Sequence, residues 1–111
     1  MRTLLVLALL LVSPLLAAKG NPAAGATKSQ TCVACHGKDG NGSEPPLGMY
    51  PKLGGQYRDY LVYALESYRN GTRANAIMQG FATTLSDEDI EDLAAYFAAQ
   101  KPGVQDLSHI K

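Results

Sequence analysis

The chain has 111 residues, with 10 basic and 10 acidic side chains, two cysteines, two histidines and no tryptophan. This length bounds it to one small domain. The balanced charge disfavours a strongly basic nucleic-acid binder. In chain order, Met1-Arg2-Thr3 carries a positive charge, Leu4 to Leu16 is an apolar run, and Ala17-Ala18-Lys19-Gly20 is rich in small residues. This is the layout of a secretory signal peptide, expected over residues 1–20, with cleavage after Ala18 or after Gly20. The apolar run is short for a bilayer span of about 20 residues, and Pro14 interrupts it, which disfavours an uncleaved anchor. No cysteine follows the run closely, so lipid anchoring is also disfavoured. Loss of Arg2 leaves the mature chain near neutral or slightly acidic.

A domain is expected over residues 21–101. Asn21-Pro22 opens a first helix, Asn at the cap and Pro at the first helical position. The helix runs through Ala23 to Thr31 towards Cys32. Gly25 is poor helix material, costing about 1 kcal/mol against Ala. Its presence reads as a close approach of another helix, which a missing side chain permits.

Cys32-Val33-Ala34-Cys35-His36 follows. Two cysteines three apart with a histidine directly after the second form the C-x-x-C-H signature of covalent c-type haem attachment. Each thiol adds across one vinyl group of the porphyrin, and the spacing lets both sulfurs reach the ring. His36 then falls where its imidazole can ligate the iron. Other readings fail on counting. A structural zinc needs four ligands, and only Cys32, Cys35, His36 and a distant His109 are on offer. A thioredoxin-like dithiol wants a strand–helix context that is missing here. A plain disulfide leaves His36 unexplained. One motif implies one haem, which would itself form much of the core of so small a domain. The apoprotein is expected to be largely unfolded. Export also suits the cysteine pair, since haem is joined to such chains outside the cytoplasm.

Residues from Gly37 through Asn41-Gly42 to Pro45-Pro46 have loop composition. No alternating apolar runs flank Asn41-Gly42, so a haem-covering loop fits better than a hairpin. It continues through Met49 and Pro51 to Gly54-Gly55. A second helix is expected over Gln56 to Asn70, with Tyr57, Tyr60, Leu61, Ala64, Leu65 and Tyr68 on one face and Gly71 ending it. Thr72 to Thr84 reads as loop or broken helix. Ser86 then caps a helix whose first turn holds Asp87, Glu88 and Asp89, with Leu85 and Ile90 suited to a hydrophobic staple. Ile90, Leu93, Ala94 and Phe97 make its stripe, and Lys101-Pro102-Gly103 stops it. Residues 102–111 read as a loosely held tail.

Met49, Met78 and His109 are the candidates for the second axial ligand. Met49 lies in the loop soon after His36, and His109 in the tail. Met78 is preferred: a whole helix separates it from His36, giving the chain room to cross to the other face of the haem. A capped helix follows it directly.

Taken together these pieces resemble the small class I cytochromes c, both the single-haem bacterial forms and one module of the dihaem ones. The likeness rests on Asn21-Pro22-Ala23-Ala24-Gly25, Cys32 to Gly37, Pro51-Lys52-Leu53-Gly54-Gly55-Gln56, Tyr68 to Arg73, Met78, and Leu85 to Ile90 with Leu93 and Tyr96. The resemblance implies an all-α fold of three to five helices around one covalently bound haem c, the first and last helices crossing with Gly25 against the Leu93/Tyr96 region. It implies that the Pro51 carbonyl accepts from the other ring nitrogen of His36. It also places Gln56, Arg69 and Arg73 as candidates for the propionate edge. The function implied is one-electron transfer in the periplasm by a monomeric, soluble, non-enzymatic carrier. Its partners would be a protein donor and acceptor, such as a membrane cytochrome complex, a terminal oxidase or a periplasmic reductase. The alternatives are a haem subunit docked in a larger oxidoreductase and, less favoured, an enzyme or gas sensor with an open iron. The acidic run Asp87 to Asp92 reads as helix-dipole complement rather than a docking patch.

Overall fold

A computed structural model describes residues 19–42 and 50–103. Met49, His109 and all of the expected leader except Lys19 and Gly20 lie outside the described residues. The described residues form five helices: α1 (Pro22–Lys28), α2 (Gln30–His36), α3 (Arg58–Arg69), α4 (Ala76–Ala82) and α5 (Asp87–Ala98). There is no strand among the described residues. The fold is all-α.

The Asn21 side chain accepts from the amides of Ala23 (2.9 Å) and Ala24 (3.2 Å), so the first helix starts where an Asn-Pro pair should start one. The single run expected towards Cys32 is two helices, jointed at Ser29. The Ser29 hydroxyl is buried and donates to the Ala26 carbonyl at 2.8 Å, tightening the joint, while its own carbonyl accepts from Cys32 and Val33. The joint keeps the backbone helical in sense, with Ser29 at φ −73° and ψ −5°.

α1 crosses α5, and Gly25 is the reason it can. A Cβ there would lie 2.7 Å from both the Asp92 carbonyl carbon and the Tyr96 Cβ, closer than real atoms approach. Charge fixes the same crossing. Asp92, only 4 % exposed, accepts from the Asn21 amide and from Lys28 Nζ, each at 2.7 Å. Lys28 also pairs with Asp89 at 2.8 Å. Asp89 is in turn half of a capping box with Ser86 at the start of α5. Arg58, at the head of α3, pairs with Glu91 and Asp59 and donates to the Lys19 carbonyl at 2.9 Å, tying three parts of the chain together.

α3 packs on α5 through Leu61, Leu93, Ala94 and Phe97, the buried apolar cluster. Each large side chain buried there contributes about 1.5–3 kcal/mol relative to exposure. The stripe expected on α3 is narrower than its tyrosines suggested. Tyr57 is 82 % exposed because it is the cap residue, with φ −59° and ψ 129°, and stands outside the helical periodicity. Leu61, Ala64 and Ser67 are the buried residues. Gly71 takes the left-handed conformation after α3, at φ 80°.

The segment expected as loop or broken helix contains α4. Asn75 makes it helical by accepting from the Met78 amide at 2.9 Å. Among the helices, α4 packs against α3 alone.

Candidate functional site

A cavity of about 420 Å³ opens between α2, α3, α4, α5 and the loop from Tyr50 to Gln56. This is within the usual range for a cofactor site, about 300–1,000 Å³. Cys32, Cys35 and His36 from α2 line it, together with Pro51 and Gln56 from the loop, Arg73 after α3, and Met78 from α4. Leu61, Ala64, Leu65, Leu93, Ala94 and Phe97 give it apolar walls.

His36 is 5 % exposed, and its Nδ1 lies 2.8 Å from the Pro51 carbonyl oxygen. A carbonyl only accepts, so Nδ1 carries the ring proton and donates. Nε2 is left with its lone pair, the form a metal ligand requires. The backbone holds the accepting carbonyl in place. The Gly40 carbonyl receives the amides of Leu53 (2.6 Å) and Gly54 (3.1 Å), the Gly55 amide donates to Phe97 (2.9 Å), and Lys52 Nζ donates to the Gly103 carbonyl (2.9 Å). The Tyr50 ring meets the imidazole edge-on at 6.3 Å.

The two cysteines are half-buried. Burial pushes the Cys32 thiol above its ordinary value, against a smaller opposing hydrogen bond from Thr31. The shift favours the thiol over the thiolate. Met78 is half-buried in the first turn of α4.

Gln56 lines the cavity, and its side-chain oxygen accepts from the Tyr57 amide at 2.9 Å. Arg73 stands exposed at the rim. Its guanidinium lies 4.8 Å from the Tyr68 ring centroid and 3.4 Å from the Tyr60 hydroxyl. Arg69 is not brought to the cavity. It donates instead to the Leu85 carbonyl (3.1 Å) and to Asp87 (2.6 Å), bracing the turn between α4 and α5. Sequence reading missed Asn75, Tyr60 and Phe81 as cavity-lining residues. An Asn three residues ahead of Met78 is the pattern of a helix cap, and that signal could have revealed both α4 and Asn75.

The donor set suits haem. A neutral imidazole and a thioether are haem iron ligands, and two thiols three residues apart line the same apolar cavity. Structural zinc does not fit, since no group of three or more His, Cys, Asp or Glu gathers among the described residues.

The family model for cytochrome c matches residues 22–101. The chain belongs to the cytochrome c family. Membership implies haem c as the cofactor. The chain is 48 % identical over 85 residues to cytochrome c-554(548) of Halomonas halodenitrificans, covering 74 % of this cytochrome c and 99 % of that relative. It is 46 % identical over 87 residues to cytochrome c4 of Pseudomonas aeruginosa, covering 78 % of this chain but 42 % of the relative. The crystal structure of reduced recombinant cytochrome c4 from Pseudomonas stutzeri superposes with a TM-score of 0.70 at 40 % identity, over 77 % of this chain and 48 % of that one. The chain thus spans less than half the length of these two cytochrome c4 relatives and nearly all of cytochrome c-554(548). No described helix is long and apolar enough to cross a membrane.

Proposed function

We propose that this cytochrome c is an exported periplasmic carrier. It moves one electron at a time between a protein donor and a protein acceptor, on a single haem c joined to Cys32 and Cys35. When bound, haem supplies a reversible Fe(III)/Fe(II) couple. The observation that carries the reading is the hydrogen bond from His36 Nδ1 to the Pro51 carbonyl inside a cavity that Cys32, Cys35 and Met78 also line. His36 offers Nε2 to the iron, and the Pro51 carbonyl orients the ring and raises its basicity. Met78 offers its thioether sulfur, a ligand that favours ferrous iron and so a positive potential. Were His36 and Met78 both to hold the iron, no open position would be left for a substrate, which favours a carrier over an enzyme. Gln56 and Arg73 stand where they can meet anionic groups at the cofactor's edge, and Arg73 brings a fixed positive charge. The apolar walls exclude water, so little solvent reorganises on each electron transfer. Arg69 enters only as a brace for the turn between α4 and α5.

Acid–organic extraction of protein matured in a haem-ligating host tests the covalent attachment. The colour is expected to stay on the polypeptide. Colour passing into the organic layer would end the reading.

A further inference from the structure

We infer that Asn75 is a positioning residue for Met78: by capping α4 it sets how firmly the Met78 thioether is held at the cavity. The inference rests on Met78 being an iron ligand, as proposed above.

α4 has seven residues, too few to be a stable helix alone. It packs on α3 and on no other helix. Ala82 is its buried residue, while Ile77, Met78 and Phe81 line the cavity. A helix this short, packed on one other helix, sits at the low-stability end of the fold, where segments open locally without global unfolding. The first turn, which carries Met78, then depends on its cap. Asn75 is extended, at φ −163° and ψ 109°, and its Oδ1 accepts from the amide of Met78 itself at 2.9 Å. The Asn75 carbonyl accepts from Gln79 at 2.9 Å. Asn75 lines the cavity with Met78.

The chain on either side is secured by other means. Upstream, the Asn70 side chain takes the Thr72 amide (2.9 Å) and hydroxyl (2.7 Å), and the Arg73 amide donates to the Ser67 carbonyl (3.0 Å). Downstream, Arg69 holds the Leu85 carbonyl at 3.1 Å. The Asn75 side chain is therefore the device specific to the turn that presents Met78. Replacing an Asn cap by Ala shifts a helix equilibrium by about fivefold. Here the frayed state is the one in which Met78 leaves the iron.

Imidazole titrated into the ferric, haem-loaded protein reads that equilibrium, because it binds only where Met78 has left. Asn75→Ala is expected to bind imidazole about fivefold more tightly than wild type, with a weakened sulfur-to-iron charge-transfer band. Asn75→Ser keeps a capping oxygen and is expected to match wild type in both. If Asn75→Ala yields no holoprotein, Asn75→Gln, outside the capping set, takes its place with the same expected shift. Wild-type affinity in the Ala or Gln variant would overturn the inference. So would a Ser variant as weakened as Ala, since that would point to a role for the carboxamide other than capping. Met78→Ala serves as the control. Imidazole affinity unchanged in that variant would sink the ligand assignment itself and leave capping aside.

Discussion

At the scale of single residues, the distal ligand carries the sharpest expectation. Met78→Ala should abolish the sulfur-to-iron charge-transfer band of the ferric protein, open the iron to exogenous ligands and lower the potential, because a soft ligand that favours ferrous iron is gone. Met49→Ala and His109→Ala should leave the band in place, as optical spectra and potentiometry of the three variants will show. A band that survives Met78→Ala and vanishes in Met49→Ala would reverse the assignment. That Cys32, Cys35, His36 and Met78 would gather at one cavity was legible because their chemistry is scarce in this chain. The Pro51 bond to His36 entered through resemblance, and the structure places it at 2.8 Å. Arg69 was not legible. A guanidinium near the right part of the chain suits a propionate or a backbone carbonyl equally, and only the fold sends it to Leu85 and Asp87.

At the scale of elements, the crossing of α1 and α5 is held by ions as well as by close packing, and this gives it a pH dependence. The Lys28 ammonium, through its hydrogen bonds, holds the carboxyls of Asp89 and Asp92 below their ordinary value of 3.8, Asp89 at about 2. A carboxyl depressed in the folded state adds stability that is complete above its ordinary value and is lost as pH falls. The window here runs from 3.8 down towards 2. The hydrogen bonds to Asp89 and Asp92 raise Lys28 above its ordinary 10.5, so its share is complete below that value and is lost at higher pH. Urea midpoints of the haem-loaded protein should therefore drop between pH 4 and pH 2. The drop should be shallower in Asp89→Asn and Asp92→Asn. Equal slopes in all three proteins would assign acid lability to other groups. The helix ends were the readable part of the elements: Asn21-Pro22, Gly71 and the Ser86 box each announce themselves by residue type. α4 was legible only as loop or broken helix because Gly80 and a lack of apolar periodicity hide it, and because one side-chain cap, rather than propensity, makes it helical. The Lys28–Asp92 contact joins residues 64 apart in the chain, and no local pattern marks such a pair.

At the scale of the whole molecule, a cavity of about 420 Å³ in so small a domain means that the cofactor completes the core. Chain made without haem should be largely unfolded, its far-ultraviolet circular dichroism showing a small fraction of the helix of the haem-loaded form. Near-native helicity in the apoprotein would show that the contact of α3 with α5 suffices alone. The crossing of α1 with α5 has one more consequence, for timing. These helices come from opposite ends of the domain, and contacts so distant in sequence form late. A chain threaded amino end first through a translocation pore cannot close the crossing until α5 has emerged. If the chain is exported as proposed, the segment from Cys32 to His36 would be held back from its final packing throughout that transit, its thiols within reach of whatever attaches the haem. On that reading the order of emergence would match the order of assembly: attachment would precede closure, and closure would seal the attached ring inside.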